Sequence, residues 1–171
     1  MSILDHVEAT AEQREEIIRW CNSRRRGAAA EGEVEEAFEP KLYTAEQLAA
    51  LAEREQLVLT ITRNGFGKRT SAYEYRVTNR GGQGIINIET SARNGKVAAA
   101  FPVADTDQLM LVTDKGQTIR IAVGEIRIAG RNTQGVKLFT TDADERIVSA
   151  ARLSDTENGG EDGEENGIAE G

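Results

Sequence analysis

A segment of about fifty residues occurs twice in this chain. Sliding the segment that starts at Leu57 forward by 51 positions, the spacing of Arg80 and Arg131, registers the copies without a gap. Thr62 falls on Thr113, Gly65 on Gly116, Arg69 on Arg120 and Glu74 on Glu125. Arg80, Gln83 and Gly84 fall on Arg131, Gln134 and Gly135, so both copies carry Arg-x-x-Gln-Gly. Repeats of roughly 40–50 residues rich in short strands are the sequence sign of propeller blades. Such a unit cannot bury both faces of its sheet alone and stacks on its neighbours. Two units are too few for a closed ring, so the chain is expected to be part of a larger array.

The repeat is also where the positive charge lies. The 171 residues carry a net charge of −8. Residues 1–56 hold seven basic and thirteen acidic side chains, whereas residues 57–152 hold fourteen basic and nine acidic ones. The last nineteen residues add seven acids and no base. A basic module thus sits between two acidic segments, and the overall charge misleads about its partners. Cys21 is the only cysteine, which excludes an internal disulfide and suits a reducing compartment. No apolar run approaches the roughly 18 residues that span a bilayer, and the N-terminus lacks a signal pattern, so a soluble, cytoplasmic protein with no membrane partner is expected.

Thr10-Ala-Glu-Gln13 and Thr44-Ala-Glu-Gln47 are capping boxes. They predict a helix from Ala11 to about Arg25, ending before Gly27, and a second from Ala45 to about Arg54. Gly27–Pro40, small and acidic, is expected to be a flexible connection. From Gln56 the period becomes that of strands. Leu57–Thr62, Gly67–Ala72, Gly84–Glu89 and Lys96–Val103 form the first predicted unit, with Asn64-Gly65 as a hairpin turn. Gln108–Thr113, Gln117–Val123, Gly135–Thr140 and Arg146–Leu153 form the second, and one helical turn is expected around Tyr73–Arg76. The fold class is mainly β: tandem four-stranded blades of a partial β-pinwheel or propeller-like array. A helical, acidic segment (1–55) precedes the blades (56–105 and 106–153), and an acidic tail (154–171), expected to be disordered, follows.

Asn64-Gly-Phe-Gly-Lys-Arg-Thr70, Glu74-Tyr75, Arg80-Gly-Gly-Gln-Gly84, Arg93-Asn-Gly95, Asp107-Gln108, Val112-Thr-Asp114 and Gly130-Arg-Asn-Thr-Gln-Gly135 occur in order. Over Leu57–Leu153 they resemble the C-terminal DNA-wrapping domain of the DNA gyrase A family, a six-bladed β-pinwheel. The resemblance implies the last two blades and the acidic tail. Residues 1–55 resemble an insertion between blades found in some lineages, and the Met1 start is expected to be a truncation or gene-calling artefact. The resemblance implies three partners: double-stranded DNA, the remainder of the gyrase A protein, and the gyrase B protein. Together they would form an enzyme that supercoils DNA negatively at the expense of ATP. ATP and Mg²⁺ would enter through the gyrase B protein, with no cofactor or metal in this segment. The tyrosine nucleophile of that family lies in another region; Tyr73 and Tyr75 align with Gly124 and Ile126 and are not it. The chain is thus expected to contain no catalytic residue.

In the family the defining box is Gln-Arg-Arg-Gly-Gly-Lys-Gly, and Thr78–Gly84 and Ala129–Gly135 are its degenerate copies. Glycines let backbone N–H groups approach phosphates while an arginine adds a charge-assisted bond. The competing reading is a structural turn in which Arg80 and Arg131 hold loop carbonyls. The candidate phosphate contacts are Lys68, Arg69, Arg80, Gln83, Arg93, Arg120, Arg131 and Gln134, with box-like turns at Gly81, Gly82, Gly84, Gly130 and Gly135. Arg63, Arg76, Lys96, Lys115, Arg127 and Lys137 are further cations of the same module. Backbone contacts of this kind imply binding that is indifferent to base sequence and steep in salt. Two alternatives stay open: a protein-interaction propeller, and the C-terminal domain of the A protein of topoisomerase IV. His6 lacks a partner at ligand spacing, and Trp20 is expected to anchor the helical segment to the blades.

Overall fold

The computed structural model describes residues 4–5, 7–29, 38–78 and 80–154. His6, most of the expected connection and the acidic tail from residue 155 lie outside them. Among the described residues two helices, α1 (Ala11–Ala29) and α2 (Ala45–Glu53), precede seven strands. These are β1 (Leu57–Thr62), β2 (Phe66–Ser71), β3 (Val97–Val103), β4 (Gln108–Thr113), β5 (Thr118–Ala122), β6 (Val136–Lys137) and β7 (Ile147–Leu153).

Both capping boxes form. The Thr10 and Thr44 hydroxyls accept from the Gln13 and Gln47 N–H groups at 3.2 and 3.3 Å, and each glutamine returns the bond at 2.8 and 3.0 Å. The first helix runs past its expected end and carries Gly27 within it. No atom lies within 4 Å of where a Gly27 side chain would start, so its cost is the modest backbone entropy of a helical glycine. Glu16 joins the helices: its carboxylate accepts the N–H groups of Lys41, Leu42 and Tyr43 at 3.0–3.1 Å. Burial pushes this carboxyl up, but the three donors outweigh it and hold it below the usual carboxylate range. Ile17, Cys21 and Leu48 pack on Tyr73, whose hydroxyl donates to the Leu51 carbonyl at 2.6 Å. The helical pair is thereby fixed to the first repeat unit, and Trp20 packs on the same cluster, edge-on to Phe38.

The repeat is present in three dimensions. Each copy has an antiparallel hairpin (β1–β2, β4–β5) followed by a short 3-10 turn, Ala72–Glu74 or Val123–Glu125, and a returning strand, β3 or β7, beside the first. The β1–β3 and β4–β7 ladders shift register at Ile61/Thr62 and Val112/Thr113, corresponding positions. Leu57, Leu59, Ile61 and Val103 of the first sheet meet Leu109, Leu111, Val123, Ile126 and Ile147 of the second in one core.

The third segments depart from expectation. No strand forms over Gly84–Glu89, and the second copy contributes only Val136–Lys137. The reason is where this segment pairs. The strand β6 belongs to the second copy in sequence but joins β2 of the first, giving the sheet orders β3-β1-β2-β6 and β5-β4-β7. A third segment thus completes the sheet of the unit before it. Among the described residues no unit precedes the first copy, and none follows β5, so the second sheet has three strands rather than four.

Candidate nucleic-acid interface

The strand β2 is buried at all six positions. Successive side chains of a strand point to opposite faces. Because both faces are covered, Lys68 and Arg69 both end inside the protein, away from the surface where their expected phosphate contacts would be made. The Lys68 ammonium donates to the carbonyls of Gly130, Arg131 and Thr133 at 2.5, 2.7 and 3.2 Å, and to the Thr133 hydroxyl at 3.2 Å. Burial pushes its pKa down to about 8, against the opposing pull of Glu74. Arg69 donates through Nε to the Ile126 carbonyl at 2.6 Å, through Nη2 to the Gly124 carbonyl at 2.9 Å, and through Nη1 to Asp105. A buried cation has to find acceptors. Here the acceptors are loop carbonyls of the second unit, so each side chain ties the two units together.

The two box-like turns have different surroundings. The second is clamped by the first unit. Thr70 donates to the Ala129 carbonyl at 2.9 Å, and Glu74 accepts the Arg131 N–H at 2.8 Å. The Arg131 Nη1 donates to the Ile86 carbonyl at 2.7 Å. Asn94 donates to the Gln134 carbonyl at 3.1 Å, and Ser91 donates to the Gln134 side-chain oxygen at 3.3 Å. Gly135 has φ +78°, and a Cβ there would stand 2.7 Å from the Gly67 carbonyl oxygen. This turn is a joint between units, as the structural alternative for Arg131 expects. In the first turn, by contrast, Arg80, Gly81, Gly82, Gln83 and Gly84 are exposed. They line an open hollow of about 600 Å³ together with Arg76 and Thr78. No described residue makes a side-chain hydrogen bond with Arg80 or Gln83.

Charge collects at one end of the first sheet. Arg63 follows β1, Lys96 precedes β3, Lys137 ends β6 opposite Phe66, and Arg93 lies in the adjoining turn. The Arg63 N–H donates to the Lys96 carbonyl at 2.9 Å, and the Arg93 guanidinium stands 5.0 Å over the Phe66 ring. All four side chains are exposed, and among the described residues none is paired with a carboxylate. At the corresponding end of the second sheet Lys115 pairs with Asp144 at 2.5 Å, among Asp142 and Glu145, so that end is neutralised. Arg63, Lys96 and Lys137 correspond to Asp114, Ile147 and Ile86 in the repeat register. None of the three has a cation at its counterpart in that register. The signal that finds them is a cation flanking a turn at a register position where the other copy has none. Arg120 stands apart, exposed on β5 opposite Met110, with no hydrogen-bond or ion-pair partner among the described residues.

Comparison with known proteins identifies the scaffold. The family model described as "DNA gyrase C-terminal domain, beta-propeller" matches residues 56–104 and 107–154. The DNA gyrase A protein of Granulibacter bethesdensis is 46% identical over 177 residues, covering 96% of this chain and 19% of that protein. Its counterpart in Rickettsia bellii is 40% identical, covering 96% of this chain and 18% of that one. The chain therefore spans about a fifth of the length of these curated relatives. A solved structure of the DNA gyrase A C-terminal domain superposes with a TM-score of 0.54 at 23% identity, over 58% of this chain and 34% of the other. The C-terminal domain of DNA topoisomerase IV gives a TM-score of 0.53 at 21% identity, over 71% and 36%. No described helix is long and apolar enough to cross a membrane. With two stacked units in the repeat register and a family match over both, this chain belongs to the DNA gyrase C-terminal domain, beta-propeller, family.

Proposed function

We propose that this chain is a DNA-binding and wrapping portion of a gyrase A protein. It acts in the cytoplasm with the remainder of that protein and with the gyrase B protein to supercoil DNA negatively. The observation that carries the reading is the uncompensated cationic end of the first sheet, on a scaffold of this family. Arg63, Arg93, Lys96 and Lys137 project from strand ends and turns, where a duplex can lie along them without entering a groove. Arg80, Arg76 and the glycines of the exposed first box add a second place for phosphates, since backbone N–H groups without Cβ atoms nearby admit close approach. Binding of this kind neutralises phosphates and releases counterions, and it carries no base readout. In this reading residues 56–105 and 106–153 act as adjacent blades.

A salt titration of DNA binding tests it. Each phosphate contact contributes about −0.9 to the slope of log K against log salt on duplex DNA. Arg63→Gln with Lys137→Gln should flatten the slope by about 2 and weaken unrelated sequences equally. A wild-type slope near zero would discard the DNA reading in favour of a protein-binding scaffold.

A further inference from the structure

The outer face of the second sheet differs from the first in one respect: nothing described packs on it. In the first unit Leu59 and Arg69 lie opposite each other across β1 and β2, on the face that meets the second unit. Their counterparts Met110 and Arg120 lie opposite each other across β4 and β5. Leu59 is fully buried, while Met110 is half-buried and Arg120 exposed. The edge is open too. On β2, the Arg69 N–H donates to the Arg127 carbonyl at 3.0 Å and the Arg69 carbonyl accepts the Ala129 N–H at 2.8 Å. Both bonds leave the sheet toward the following unit. The equivalent groups of Arg120 face outward from β5 by the same register, and no described strand pairs there.

We propose that Arg120 is one half of a joint to a further repeat unit, which docks on the β5 edge and offers two carbonyls of its 3-10 turn to the guanidinium. This rests on the reading of the chain as part of a longer protein, and it names the partner of that edge. The internal joint supplies the occupant's chemistry. Arg69 forks onto the carbonyls of Gly124 and Ile126, at the 3-10 turn of the next unit, and onto an acid, Asp105, just before that unit's first strand. A unit seated on β5 in the same way covers Met110 and Val112 and extends the ladder at Arg120. An unpaired strand edge is an aggregation hazard that proteins cover or charge. A joint of this kind covers it. Arg120 is then spent on protein carbonyls, like Arg69, and is not available to a phosphate.

The test compares Arg120→Met and Arg120→Lys in two settings, the 171-residue chain and the full-length gyrase A protein. In the short chain both variants should leave the urea midpoint unchanged, and the Arg120 amide should exchange freely. In the full-length protein that amide should be protected at least a hundredfold. There both variants should lower the unfolding temperature of the C-terminal domain, lysine included, because an ammonium cannot fork to two carbonyls as a guanidinium does. The slope of DNA affinity against salt should not change. A full-length Arg120→Met protein with unaltered stability overturns the joint. If its salt slope also drops by about 0.9, Arg120 is a phosphate contact, and DNA binding survives while the joint does not. A wild-type salt slope near zero would instead refute the DNA reading and leave the stability and exchange results to decide the joint.

Discussion

Arg69 and Arg120 occupy the same position of the repeat, yet they should respond very differently to the same substitution. Arg69→Met keeps much of the stem but removes a guanidinium that forks onto two carbonyls in the interior. The third arm, to Asp105, ends on a carboxylate whose side chain is 71% exposed, so it adds little. Hydrogen bonds from a charged group to buried acceptors are each worth about 1.5–3 kcal/mol, and the loss leaves the Ile126 and Gly124 carbonyls without that donor. The expected cost is about 3–5 kcal/mol, a large fraction of the roughly 5–15 kcal/mol that stabilises a domain. At about 2–4 °C per kcal/mol, the melting temperature should fall by roughly 10 °C. Arg120→Met in the same chain removes no partner and should stay within about 0.5 kcal/mol. Urea unfolding followed by far-ultraviolet circular dichroism measures both. The reasoning is refuted if the two variants are equally and weakly destabilised, or if Arg69→Met keeps its midpoint and flattens the salt slope of DNA binding by about 0.9.

Further tests address the loops and the buried charges. Gly135→Ala should cost several kcal/mol, on the order of 3, because its Cβ would strike the Gly67 carbonyl; Gly84→Ala, at φ +76° in open space, should cost only about 1–2 kcal/mol of left-handed strain, as thermal unfolding would report. The Lys68 pKa of about 8 lies below that of an unfolded lysine, so the unfolded chain binds the extra proton between the two values, and this group's contribution to stability rises as pH climbs from about 8 to 10.5. Lys68→Met should abolish that rise; the difference between the two proteins isolates it, because Cys21, pushed up to about 12 by burial, titrates with the opposite sign. Glu16 is depressed, so its contribution is present above the ordinary carboxylate range and is lost as pH falls through its folded value. Glu16→Gln should remove that acid sensitivity, which Trp20 fluorescence would follow.

How much of the interface was visible beforehand depends on the kind of fact. Arg69 recurs as Arg120 on the strand where the repeat is most regular, whereas its neighbour Lys68 falls on Ile119. Recurrence of a charge at one register position does not reveal its surroundings: Arg69 is buried in the joint between units, while Arg120 is exposed. Arg63, Lys96 and Lys137 break the repeat, and their importance comes from standing at ends of strands from three different parts of the chain. Nothing local in the sequence announces that convergence. The third segment was predicted as a strand in each copy because its pattern is extended, but a strand needs a partner edge. For Val136–Lys137 that edge is β2, some seventy residues earlier, and for Gly84–Glu89 none lies within the described chain.

The amino-acid order alone determined what depends on neighbours in the chain and on period: both capping boxes, the hairpin turn at Asn64-Gly65, the alternating strands, the duplication at 51 residues and the family they add up to. Tertiary structure decided which sheet each strand completes and, through that, which charges are solvated. A strand carries no instruction about whether one or both of its faces will be covered. Only the stacking of the second unit on the first turned Lys68 and Arg69 inward and left the far end of the first sheet positively charged toward solvent.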